Sequence, residues 1–448
     1  MLNAERQRAW LARLATVRMV AVVAGVLLAS PAWAQVHWVT SWTASAQGPY
    51  PAGNATLQPD LSDVFPLPDA GARDQSFRLI VRPDVWGPRM RVRVSNAFGT
   101  RPLVVDDVFV GMQQSGSAVM RGTNVPVRFA GGVRVTVAPG AEVWSDATAL
   151  PFVRADSAPL LPGRKLAVSL HVVGESGPIT WHAKALTTSY VTLPGAGSRG
   201  HDEGERAFPV GTTSWYFVDA VDMEMPATTH TLVAFGDSIT DGTASTLNGD
   251  DRWPDVLSRR LHGVSGDRIA VVNAGIGGNR VAGPAEYSAA KPFAGGPAAG
   301  ARLERDVLSL SGVRQVIWLE GINDFGTAAN TSVDAVQQAM REVVGRLHAK
   351  GIRVYGATLT SAVGNGTPAD SAARETRRQA LNSVIRSAGV FDGVFDFDRA
   401  TTDPATGRMR APFVPNSTDG GKGDYLHPNR LGYGAMADVV DLDVLLKP

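Results

Sequence analysis

The chain has no cysteine among its 448 residues. That excludes disulfides, thiolate metal sites and a cysteine nucleophile, so covalent catalysis must use another side chain. Net charge is almost absent too. Forty-three Lys and Arg face 42 Asp and Glu, leaving +1 and no basic face for nucleic acid. After residue 34 no stretch is long and apolar enough to cross a bilayer. A chain of this length has room for two or three domains at ~150 residues each. Its core can be large enough to fold without covalent staples.

The N-terminus carries a targeting pattern. Arg6, Arg8, Arg13 and Arg18 precede the apolar run Met19–Ala29, and Ala32-Trp33-Ala34 puts small residues where a signal peptidase cuts. The run is short of the ~20 residues that span a membrane. We therefore expect a signal peptide over 1–34, cleavage after Ala34, and a periplasmic or secreted protein with no stable membrane insertion. Residue 35 is Gln, not Cys, which argues against a lipid anchor.

Residues 35–228 read as an all-β domain. Arg89–Ser95 alternates strictly, with Met90, Val92 and Val94 on one face and three arginines on the other. Ser76–Arg82, Gly132–Ala138 and Lys165–Val172 are further strands, separated by turn signals such as Asn96–Gly99 and Pro139-Gly140. Short strands at this spacing suggest a β-sandwich or jelly-roll-like accessory domain. Trp38, Trp42, Trp181 and Trp215 could form an aromatic platform for sugars, but tryptophans in such a domain are more often core.

From residue 229 to 448 short apolar runs alternate with helical segments. Helices are expected at Trp253–Leu261, at Val333–Ala349 with a stripe of Val336, Met340, Val343, Val344 and Leu347, and from Pro428 towards Leu446. Strands are expected at Arg353–Leu359 and near Gly393–Phe397. This rhythm predicts an α/β fold, a three-layer, doubly wound parallel sheet of flavodoxin-like type, with its ligand site at the carboxyl ends of the strands. Loops look long at roughly 279–300, 360–373 and 402–423, and the two that adjoin motif blocks would rim that site.

Four blocks stand out in this half. Gly236-Asp237-Ser238-Ile239-Thr240 follows the apolar Thr231–Phe235. Asn273–Arg280 follows Ile269–Val272, and Gly321-Ile322-Asn323-Asp324 follows Val316–Leu319. Asp424-Tyr425-Leu426-His427-Pro428 comes last. A serine needs a base to take its proton, and that base works best when a third group orients it. An Asp and a His three residues apart can supply both from one turn. No Gly-x-Ser-x-Gly elbow surrounds Ser238, which argues against the usual lipase type of α/β-hydrolase.

Together the blocks resemble the SGNH hydrolases, also called GDSL esterases and lipases, and the resemblance covers about Thr229 to the end. The first block reads Gly-Asp-Ser-Ile where the commonest pattern has Leu. The resemblance implies catalytic Ser238, Asp424 and His427. It also implies an oxyanion hole of the Ser238 and Gly278 N–H groups and the Asn323 side chain. Gly277 replaces Gly278 if the register is shifted by one. No metal and no cofactor are implied. Each residue has a plainer reading: Ser238 as a helix cap, Asn323 as a turn residue, His427 as a loop histidine. Asp237 and Asp324 are expected to hold turns through backbone hydrogen bonds. Asp241, Asp250 and Asp251 do not match a calcium loop and are expected on a solvated, helix-starting face. His182 and His230 have no ligand-like partners nearby in sequence. Arg280 is a candidate substrate contact.

The expected function is an exported serine esterase acting through an acyl-enzyme on a small-molecule or polysaccharide ester. Carbohydrate O-deacetylation is favoured by analogy with acyl hydrolases found with polysaccharide degradation. The alternatives are a broad lipase, arylesterase or thioesterase, and a glycan-binding protein whose hydrolase half is silent.

Overall fold

Alternation shapes the first half. The structure is a computed structural model that describes residues 36–447, except Ala289 and Ala388. The expected signal peptide lies outside the described residues. In Arg89–Ser95 the period of two puts Met90, Val92 and Val94 fully inside. This strand pairs antiparallel with Val218–Pro226, which in turn pairs with Val36–Thr43. A second antiparallel sheet holds Arg73–Val81, Leu166–Glu175 and Leu103–Ser115 side by side. Phe77, Leu79, Val168 and Leu170 of that sheet share one apolar core with Val92 and Val221 of the first.

Trp42, Trp181 and Trp215 are buried in this core, Trp42 and Trp215 edge to face at 5.0 Å. Their indole N–H groups are accounted for where burial demands it: Trp215 donates to Ile80 O at 2.9 Å and Trp181 to Ala52 O at 3.0 Å. Trp38 is half-buried beneath the Arg91 guanidinium, 4.8 Å away. These four are packing residues, not an exposed platform.

The arginine face of Arg89–Ser95 is the seam between the two halves. Arg91 donates to Ser311 Oγ at 3.0 Å. Arg93 is 2% exposed and donates to Asp219 Oδ1 and Ser309 Oγ, both at 2.7 Å, and to Arg305 O. A buried guanidinium survives only when its donors are taken up this way.

The second half is built on five parallel strands. Their spatial order is Ile269–Gly275, His230–Gly236, Val313–Leu319, Arg353–Ala357 and Gly393–Phe395. In chain order this is 2-1-3-4-5, a doubly wound order whose crevice opens where the order reverses. Leu232–Phe235 and Val316–Leu319 are buried throughout, as strands covered on both faces must be. The helix Val333–His348 buries the expected stripe of Val336, Met340, Val343, Val344 and Leu347.

Two expectations need correction. The loop expected over 360–373 stops at Thr367, and a helix runs over Pro368–Ser387. Its buried face carries Ser371, Arg378 and Asn382 beside Leu381 and Ile385, so it has no apolar stripe to read. The final helix is also two helices, Arg430–Asp438 and Leu442–Leu446, with Asp441 capping the second through Asp443 N at 3.0 Å.

Candidate active site

The first strand of the parallel sheet ends at Gly236, where a Cβ would lie 2.3 Å from Leu319 O, so only glycine fits. Asp237 then caps a single helical turn, Ser238–Asp241, accepting from Ile239 N at 2.9 Å. The cap is therefore Asp237, which leaves the Ser238 hydroxyl free for another partner. That partner is His427: Ser238 Oγ lies 2.8 Å from its Nε2. His427 Nδ1 lies 2.6 Å from Asp424 Oδ2. The carboxylate accepts from Nδ1–H, which leaves the Nε2 lone pair facing the serine.

Asp424 is itself held. Its Oδ1 accepts from the N–H groups of Leu426 and His427 at 3.0 and 2.9 Å. Burial raises its pKa. The hydrogen bond and charge of His427, with the two backbone donors, outweigh that and hold the carboxyl below the usual range. Asp237 and Asp324 are different. Burial pushes the Asp237 carboxyl well above its ordinary value and Asp324 up to about 6. Asp324 accepts from Val281 N and Ala282 N, both at 2.9 Å. Both carboxyls hold turns, and neither meets His427.

The second and third turns converge on the same place. Gly278, just past Ile269–Gly275, has φ +83°, a conformation that favours glycine. Gly277 donates its N–H to Asp241 Oδ2 at 2.8 Å, which commits that group. No acceptor takes the Gly278 N–H among the described residues. Asn323 follows the third strand and donates to Asn279 O at 3.0 Å. One amide hydrogen remains for a ligand.

Arg302 joins these turns from beneath. It is fully buried, with its guanidinium over the Phe235 ring at 4.0 Å. It donates to Gly236 O and Ala274 O, both at 2.8 Å, and to Asn279 Oδ1 at 2.6 Å. Its charge is balanced by Asp306 at 3.0 Å. Nothing in the sequence marks Arg302, because it lies in a short helix away from every block.

The remaining candidates separate. Arg280 sits on the loop after Gly278 with its guanidinium 4.6 Å from the Phe293 ring centroid. Asp241 is buried, not solvated as expected, because Gly277 and His182 both close on it. Asp250 pairs with Lys165 at 3.1 Å, and Asp251 accepts from Thr246 N at 2.9 Å, so neither starts a solvated helix face. His182 is buried, its Nδ1 donating to Ser45 O at 2.7 Å. Two residues from the first half, Asn54 and Lys184, also reach the Gly277–Gly278 turn. No local pattern in the sequence could have named them.

A family described as GDSL-like Lipase/Acylhydrolase matches residues 234–435. Solved structures include a carbohydrate acetylesterase from Sinorhizobium meliloti at 16% identity, covering 49% of this chain and 100% of that one, TM-score 0.36. Another is a lipase/acylhydrolase from Enterococcus faecalis at 22% identity, covering 48% and 95%, TM-score 0.36. A third is an aryl esterase from M. smegmatis at 16% identity, covering 48% and 98%, TM-score 0.36. No curated protein sequence matches. With its motif blocks meeting in space, residues 234–435 carry a GDSL-like lipase/acylhydrolase domain, and the chain is a carboxylic ester hydrolase.

Proposed function

We propose that Ser238, His427 and Asp424 are the catalytic triad of an exported serine esterase. The observation that carries this is the continuous relay Ser238 Oγ–His427 Nε2–His427 Nδ1–Asp424 Oδ2, at 2.8 and 2.6 Å. Ser238 Oγ attacks the ester carbonyl while His427 Nε2 takes its proton. The tetrahedral oxyanion is received by the N–H groups of Ser238 and Gly278 and by the Asn323 amide. As it collapses, His427 returns the proton to the leaving alkoxide, so alcohol departs and acyl-Ser238 remains. Water, deprotonated by His427, then releases the carboxylic acid and restores the serine. Asp424 keeps the His427 tautomer and steadies its charge. The chemistry draws on side chains and backbone alone and calls for no cofactor or metal.

In this reading residues 1–34 direct export to the periplasm or beyond. Residues 35–228 form a β-sandwich-like accessory domain. Residues 229–448 form a three-layer α/β catalytic domain. Arg280 borders the loop after Gly278 and would contact the substrate. The acyl group is short, such as O-acetyl on carbohydrate, a reading supported by an antiparallel domain ahead of the catalytic one and by the export segment. Hydrolysis of p-nitrophenyl esters from acetate to palmitate tests it, using the protein without residues 1–34 and its Ser238→Ala variant. Fastest turnover of acetate, abolished in the variant, is expected. Preference for long chains would replace deacetylation with lipase action, and activity persisting in the variant would overturn the triad.

A further inference from the structure

The peptide unit between Gly277 and Gly278 has two ends. Its N–H belongs to Gly278 and is the one assigned above to the oxyanion. Its carbonyl belongs to Gly277, and that oxygen accepts from Asn54 Nδ2 at 2.7 Å. Asn54 lies in the first half, on the exposed loop after the strand Gly48–Pro49. A peptide group is planar, so fixing its carbonyl direction fixes its N–H direction on the opposite side. A donor on the carbonyl also polarises the amide and strengthens its N–H as a donor.

The first half grips the same turn from below. The Gly277 N–H is held by Asp241, and Asp241 Oδ1 lies 3.2 Å from His182 Nε2. Lys184 is buried beside it and donates to Thr243 Oγ1. A Cβ on Gly277 would lie 3.1 Å from Lys184 Nζ and 3.4 Å from Asn54 Cβ, so the turn is bracketed by both. The loop that follows is also docked on the first half, with Tyr287 OH donating to Gln47 O at 2.7 Å.

We propose that the N-terminal half completes the active site, with Asn54 as a positioning residue that aims the Gly278 N–H at the reacting oxygen. The inference rests on the esterase reading above. It makes the first half part of the catalytic machinery, acting through the Gly277–Gly278 peptide rather than by touching the ester. Loss of Asn54 should therefore weaken transition-state binding and leave ground-state binding alone.

The test uses Asn54→Ala and Asn54→Asp in the full protein. The substrate is p-nitrophenyl acetate, and phenylboronic acid is the tetrahedral analogue. Asn54 is exposed, so Asn54→Ala removes no core packing and its Tm should match wild type. We expect kcat to fall between about tenfold and a hundredfold in Asn54→Ala. The boronate Ki should rise in parallel while KM stays within about twofold. Asn54→Asp, which sets a carboxylate against the Gly277 carbonyl, should lose more. Unchanged kcat in both variants would overturn the proposal, as would a rise in KM with kcat intact. If wild type cuts no ester and Ser238 takes no fluorophosphonate, the esterase reading has failed. An active wild type matched by both variants means that only the role of Asn54 has failed.

Discussion

The two halves of this chain hold their functional parts by different means. In the first half position is set by apolar packing: Met90, Val92 and Val94 face inward on a strict alternation. In the second half the strands are packed the same way, but the turns beyond them are held by polar side chains on backbone groups. Asp237 binds Ile239 N, Asp324 binds Val281 N and Ala282 N, and Arg302 binds Gly236 O and Ala274 O. Dispersion and hydrophobic burial are undirected, so they fix where a strand lies but not where an N–H points. Hydrogen bonds are directional, and a site that must aim donors at a developing charge needs them. Rate and stability should therefore separate along the chain.

The largest effect is expected at Ser238, the proposed nucleophile. Ser238→Ala should lower kcat by roughly a millionfold with thermal unfolding little changed. Asp424→Asn keeps the shape but removes the charge that fixes the His427 tautomer, and a loss near ten-thousandfold in kcat is expected. Asn323→Ala removes one proposed oxyanion donor, and about a hundred- to a thousandfold should be lost from kcat at little change in KM. Steady-state kinetics with one short ester reads all three.

The seam should behave in the opposite way. Arg93→Met leaves the buried Asp219 and the half-buried Glu142 without the guanidinium they share. It should cost about 3 kcal/mol by urea unfolding, with kcat/KM of the folded protein unchanged. Loss of activity at full stability would break the comparison. The smallest effect is one of pH. Burial disfavours the His262 imidazolium, but Asp267 and, from the first half, Asp84 favour it more, and its pKa is pushed up to about 10. A folded-state pKa above the unfolded ~6.5 means this stabilisation is complete below that pH and is lost as pH rises towards about 10. Tm should fall across that window in wild type, and less in His262→Gln.

Much of the candidate site was legible because its residues are local. Ser238, Gly278 and Asn323 each follow an apolar strand, and Asp424 and His427 share one turn, so each block carries its own context in sequence. The long helix Pro368–Ser387 was not legible, because Arg378 and Asn382 stand where an apolar stripe should be. Arg378 is tolerated there through Glu375, Asp398 and Leu359 O. Asp241 could not be placed from sequence either, since its partner His182 comes from the first half. Asn54 and Lys184 were hidden for the same reason. Contacts across such separations depend on how the halves meet, and no window of sequence reports that.

The most direct test of the central claim is the site of covalent labelling by a fluorophosphonate, read by peptide mass spectrometry. The account predicts one adduct, on Ser238, absent in Ser238→Ala and slowed in His427→Ala. A label on another residue, or ester hydrolysis that survives in Ser238→Ala, would contradict it.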